Sequence, residues 1–253
     1  MLKRQWIWAV SVALLAGNTM SASVIGSPQS AFRHLYTLSH NGRVAIQNLY
    51  GNVSITAWDR DAVLVEAIKH STGAGTLEDA RIVVEPTADL LSIRTQYAGS
   101  DAEHPTSVEY RITVPRGAKL ESVILTNGAL SLDGISGPVK ASAVNGDIRA
   151  FKLGGQVELS TVNGHVDADF LHTSRANPIS LTSVNGHIHL TIPYGSDASL
   201  EAQNLSGGIA SNLGRPARTQ RGHRLIVKGA GPQIHVHNVN GGISIRSNDC
   251  SCT

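Results

Sequence analysis

The chain has 253 residues, 41% of them hydrophobic but only 4% aromatic, with 21 Lys and Arg against 19 Asp and Glu. Near-neutral charge provides no large counterion-release term, which excludes nucleic acid and anionic membrane surfaces as expected partners. Its two cysteines, Cys250 and Cys252, stand two residues apart at the end of the chain, so no framework disulfide is expected.

The first residues have the three-part layout of a secretory leader: Lys3 and Arg4, an apolar run from Trp6 to Gly17, then small and polar residues ending Ser21-Ala22-Ser23. A membrane-spanning helix needs about 18 or more apolar residues, so the run reads as a signal peptide over residues 1–23 and not as an anchor. Export to the periplasm or cell surface follows. Without Lys3 and Arg4 the remainder is balanced at 19 basic and 19 acidic residues. Residues 24–34 read as an N-terminal extension, 35–246 as one repetitive domain with subregions 35–115 and 116–246, and 247–253 as a disordered tail.

The first repeat elements are Asn41-Gly42-Arg43-Val44-Ala45-Ile46 and Tyr50-Gly51-Asn52-Val53-Ser54-Ile55. The stretches Ser71 to Asp79 and Ala98 to Thr106 read as loops, with one short helical turn expected over Thr76 to Arg81. From Gly128 the signal becomes strict: Gly128, Gly137, Gly146, Gly155 and Gly164 follow one another every nine residues. Each is followed two residues later by Leu130, Val139, Ile148, Val157 or Val166, and four residues later by Leu132, Ala141, Ala150, Leu159 or Ala168. Alternation with period two puts each pair on one face of a strand. Asn127, Asn145 and Asn163 recur every eighteen, so the unit is a pair of strands with two unlike turns. Asn-Gly suits a backbone that must take positive φ. Further loops are expected at His172 to Pro178 and Gly214 to Gly222. The motif returns at Asn185-Gly186, Gly207-Gly208 and Asn240-Gly241-Gly242.

A meander of hairpins and a solenoid both fit this unit. After Val157 and Leu159 the next apolar residue is Val162, and after Leu130 and Leu132 it is Ile135. Such a slip in alternation points to a corner turning its next side chain inward, and hence to an all-β, β-solenoid or β-helix-like stack of short strands. The part before Pro115 is less regular and reads as a conventional sheet or a cap.

Trp58-Asp59-Arg60-Asp61, Tyr110-Arg111-Ile112-Thr113-Val114-Pro115-Arg116-Gly117, Ile192-Pro193-Tyr194-Gly195 and the Val-Asn-Gly turns ending at Val239-Asn240-Gly241 resemble the bacterial β-strand-repeat "putative adhesin" family of unknown function. The resemblance covers residues 35 to 246. It implies an exported, β-helix-like envelope protein and carries no functional residues with it.

Candidate chemistry is sparse, and no catalytic, cofactor or metal residue is assigned. The most specific polar feature is His187-Ile188-His189 and His235-Val236-His237, with His165 in the position of His187 one turn earlier. If Ile188, Leu190, Ile234 and Val236 face inward, these histidines face outward and could share a metal, although they lack the ligand spacings of a zinc site. Calcium is disfavoured, because only Asn145-Gly146-Asp147 of the regular turns carries an acid after its glycine. Asp147, Asp167 and Asp169 are the nearest candidates for paired catalytic acids, without a supporting motif. Few aromatics argue against a glycan platform, and Asn52 and Asn204 open Asn-x-Ser sequences. The expectation is a non-enzymatic envelope protein with a structural, adhesin-like or protein-interaction role. A metal-binding module is the alternative, and a carbohydrate-active β-helix enzyme comes third.

Overall fold

The computed structural model describes residues 29–71, 77–98, 106–213, 218–221 and 223–248. The expected leader, Cys250 and Cys252 lie outside them. In chain order the strands are β1 (Gln29–Thr37), β2 (Arg43–Tyr50), β3 (Val53–Trp58), β4 (Ala62–Ser71), β5 (Ala80–Pro86), β6 (Leu90–Tyr97) and β7 (Thr106–Pro115). Then come β8 (Lys119–Asn127), β9 (Leu130–Asp133), β10 (Val139–Asn145), β11 (Ile148–Leu153), β12 (Val157–Asn163), β13 (Val166–Phe170), β14 (Ile179–Asn185) and β15 (Ile188–Ile192). The last are β16 (Ser199–Ser206), β17 (Ile209–Ser211), β18 (Arg218–Arg221), β19 (Arg224–Val227), β20 (Gln233–Asn240) and β21 (Ile243–Ser247). A single 3₁₀ turn, Leu77–Asp79, falls where one helical turn was expected.

Two sheets face each other across one apolar core. From β8 to β15 the strands alternate between sheets, and each lies parallel to the strand one coil away: Val139 is level with Val157, and Ile148 with Val166. The two-strand unit read from the sequence is therefore one coil of a solenoid. All ten aliphatic or alanine positions predicted to face inward, Leu130 through Ala168, are buried. At about 25 cal/mol per Å² of apolar surface removed from water, these layers are the main favourable term of the fold.

The corner glycines are required mainly for space. A Cβ on Gly146 would overlap the carbonyl oxygen of Gly128, one on Gly164 that of Gly146, and one on Gly186 that of Gly164. Positive φ holds at Gly51, Gly128, Gly207 and Gly241, but Gly146, Gly164 and Gly186 are outside that region. Close stacking of coils, more than turn conformation, explains the strict repeat.

At both ends chain order and stack order part. Coil β6–β7 lies outside β2–β3, since β2 pairs with both β6 and β8, and β3 with both β7 and β9. At the other end the last coil, β20–β21, is inserted between β14–β15 and β16–β17. Antiparallel strands flank the stack: β4 and β1 beside β7, β5 beside β6, and β19 and β18 beside β16.

Four expectations change. The first strand begins at Gln29, inside the stretch read as an extension, and β18 lies within the expected loop at Gly214 to Gly222. The irregular first part combines two true coils with flanking antiparallel strands. The phase slip was half right: Ile135 is buried, but Val162 is 41% exposed and Thr161 takes the inward position. Alternation runs unbroken to that corner. The Thr161 hydroxyl is accommodated inside because it donates to the Gly146 carbonyl at 3.0 Å.

Candidate functional site

With the interior filled, chemistry must come from the corners and outer faces. At the Asn-Gly corner the side chains of successive coils form a ladder. The Nδ2 of Asn145 donates to Asn127 at 2.9 Å, Asn163 to Asn145 at 2.8 Å, Asn185 to Asn163 at 2.9 Å and Asn240 to Asn185 at 2.9 Å. An inner polar column supports the same corner. Ser183 donates to the Gly164 carbonyl, Asn238 to Gly186 and Asn204 to Gly241.

Just before the ladder, between the paired inner and corner positions, lies a row of outward aliphatic side chains: Val144, Val162, Val184, Val239 and Leu205. Val144 and Val162 are exposed, Val184 and Val239 half-buried, and Leu205 is 70% exposed. At about 4.8 Å per coil the row extends roughly 20 Å. Beside it, two residues earlier in each strand, stand Ser142, Ser160, Thr182, His237 and Gln203, which leaves a strip without acidic residues, Lys or Arg. Four of these residues are the Val of a Val-Asn-Gly turn, and one of them, Val162, was expected to turn inward.

One residue after each corner glycine runs a third column. Asn52 Oδ1 accepts the Ala129 N–H at 2.8 Å, and Asp147 Oδ1 accepts the His165 N–H at 2.9 Å. His165 Nδ1 accepts the His187 N–H at 2.9 Å, and His187 Nδ1 accepts the Gly242 N–H at 2.8 Å. The two imidazoles stack with centroids 5.2 Å apart. Because each Nδ1 is an acceptor, each ring carries its proton on Nε2.

This geometry weighs against a metal held jointly by the two pairs. Ile188, Leu190, Ile234 and Val236 are buried and the four histidines exposed, as expected. However, His187 and His189 belong to the corner and face of β15 in one sheet, while His235 and His237 lie on β20 in the other. The pairs cannot share an ion. A neutral imidazole binds metal through its unprotonated nitrogen, which in His165 and His187 is occupied by a backbone amide. Among the described residues no group of three or more His, Cys, Asp or Glu could hold a metal ion.

The candidate acids are also committed elsewhere. Arg149 lies 3.1 Å from Asp147 and 3.8 Å from Asp167, holding both in an ion-pair row across the outer face. Burial raises the Asp169 carboxyl above the ordinary range, with Lys152 acting against it. Opposite charges elsewhere pair too, including Lys140 with Glu158 at 3.0 Å and Arg116 with Asp59 at 2.9 Å. Hydrogen bonding and attraction from Arg116 hold the Asp59 carboxyl below its usual range. No helix among the described residues is long and apolar enough to cross a membrane.

Comparison with solved structures gives a match to a "putative cell adhesion protein" from Clostridium sporogenes, at 12% identity and a TM-score of 0.52, covering 87% of this chain and 100% of that one. At that identity the likeness is one of fold. A "putative adhesin" from Bacteroides fragilis (11% identity, 87% of this chain and 97% of that one, TM-score 0.35) and a "putative lipid binding protein" from Parabacteroides distasonis (9%, 87% and 97%, 0.32) are more distant. No curated protein matches. A family model described as Toastrack DUF4097 matches residues 28–246, nearly all of the two-sheet stack, and the chain belongs to that family.

Proposed function

We propose that this is an exported, non-enzymatic envelope protein that works by contact, with an adhesin-like or structural role toward a protein or other envelope component. The observation that carries the reading is the outward Val144–Val162–Val184–Val239–Leu205 row, held in register by the Asn ladder beside it. Exposed aliphatic side chains lose solvent contact when a partner covers them, and a row repeated over five coils is a surface with a defined shape. The adhesion label of the Clostridium sporogenes protein agrees in kind. Export rests on Lys3, Arg4 and the apolar run that follows.

Site-specific photocrosslinking in cells tests the reading. A photoreactive residue at Val162 is expected to give a discrete adduct, and one at Thr191 on the other sheet is not. No adduct from any position of the row, or substrate turnover abolished by one substitution, would refute the proposal. Cell fractionation with N-terminal sequencing checks export, expected as a mature end after Ser23.

A further inference from the structure

The column behind the corner glycines breaks wherever a residue lacks a side-chain acceptor, at Ala129 in the early coils and again at Gly242, where the break lies beside an open groove. From Asp147 onward a side-chain acceptor on one coil receives the backbone N–H of the next: Asp147 for His165, His165 for His187, His187 for Gly242. Because the last coil is inserted in the stack, Gly208 follows Gly242, and Ile209 is level with Ile243. Gly242 has no side chain to offer. The Gly208 N–H therefore meets no acceptor among the described residues, and a Cβ built on Gly208 would meet nothing within 4 Å.

The neighbouring row leaves the same place open. His189, Ser244 and Ala210 are level on adjacent strands, so two rows of small residues lie beyond a wall formed by His187 and His189. The result is a groove of about 320 Å³ with Ile209 and Ile243 at its base. The His187 ring presents a Nε2–H donor outward, since its Nδ1 is engaged by Gly242. Arg246, two residues beyond Ser244 on the same outer face, makes no ion pair among the described residues. The nearest acid in the His189 row, Asp167, is level with His189 and faces Arg149.

We infer that this groove is a binding site for a carboxylate on a short aliphatic body. The carboxylate takes the place of the missing side-chain acceptor opposite the Gly208 N–H. His187 and His189 line the groove as further polar groups, Arg246 farther along β21 adds positive charge at longer range, and the aliphatic part covers Ile209 and Ile243. Charge-assisted bonds to a carboxylate are about twice as strong as neutral ones, and the local balance of charge disfavours an ammonium ligand.

The test titrates the full-length, isotope-labelled chain with sodium butyrate, and separately with butylammonium chloride, following the Gly208 amide and the His189 ring by NMR. Butyrate is expected to shift both saturably, and butylammonium neither. Gly242→Asn returns a side-chain acceptor to the column and is expected to weaken butyrate binding at least tenfold. Arg246→Gln, on the exposed face, leaves the core untouched and is expected to weaken it several-fold. Absence of a saturable shift at Gly208, equal response to the ammonium ion, or unchanged affinity in both variants would each overturn the site.

Discussion

The regular middle of the molecule, β8 to β15, and its two ends are built from the same coil but joined differently. In the middle, neighbours in the chain are neighbours in the stack, with coil partners 18 or 22 residues apart. At the ends a later coil lies outside an earlier one or is inserted beside it, with Asn185 level with Asn240 and Asn240 with Ser206. Every coil has a compatible corner, so any coil can stack on any other, and the order is left to the connections. The C-terminal exchange also sets Gly242 between His187 and Gly208 and so opens the groove.

Substitutions sharpen this comparison, beginning with the largest expected effect. Gly164→Val puts a side chain into the Gly146 carbonyl and is expected to cost roughly 3–5 kcal/mol. Gly208→Ala at the exchanged end enters open space and should stay within about 0.5 kcal/mol. Chemical denaturation measures both. Leu190→Ala in the middle and Ile245→Ala in the inserted coil each empty a fully buried site, and each is expected to cost about 2–5 kcal/mol. Comparable losses would mean that the inserted coil is packed as tightly as the regular ones.

The N-terminal end has its own titration. Tyr110 is buried and accepts or donates a bond to Thr95 at 2.7 Å, and burial pushes its hydroxyl up to about 12 from an ordinary 10. A group raised in the folded state favours folding while it is neutral, so this contribution is intact below pH 10 and lost as pH rises toward 12. Two units correspond to about 2.7 kcal/mol at most. Alkaline denaturation midpoints should fall over that window, and less so in Tyr110→Phe. A modest effect is expected from Asn163→Ala, which removes two exposed ladder rungs and should cost about 0.5–1.5 kcal/mol by thermal denaturation.

The strand-turn unit was legible because each glycine is fixed by contact with the glycine one coil away, which stamps a period on the sequence. The inward Leu130, Val139 and Ile148 were legible for the same reason. Val162 misled, since an aliphatic residue and an interior position were equated, whereas Thr161 lies inside at little cost once its hydroxyl reaches Gly146. The split of His187 and His189 from His235 and His237 between sheets could be read from their places after and before an Asn-Gly corner, a signal present but unused. The exchanged coils left no trace, because compatibility of every corner with every other is what the repeat encodes. The Gly208 groove depends on that exchange and was equally hidden.

Coil order is thus the central claim, and paired cysteines test it directly. In a chain with Cys250 and Cys252 replaced by Ser, Ser180→Cys with His235→Cys joins positions that are level on adjacent strands. Ser180→Cys with Glu201→Cys spans the inserted strand. A disulfide forms only when Cα atoms approach within about 7 Å. The first pair is predicted to oxidise and the second to remain reduced; oxidation of the second and not the first would place β16 against β14 and contradict the inserted coil.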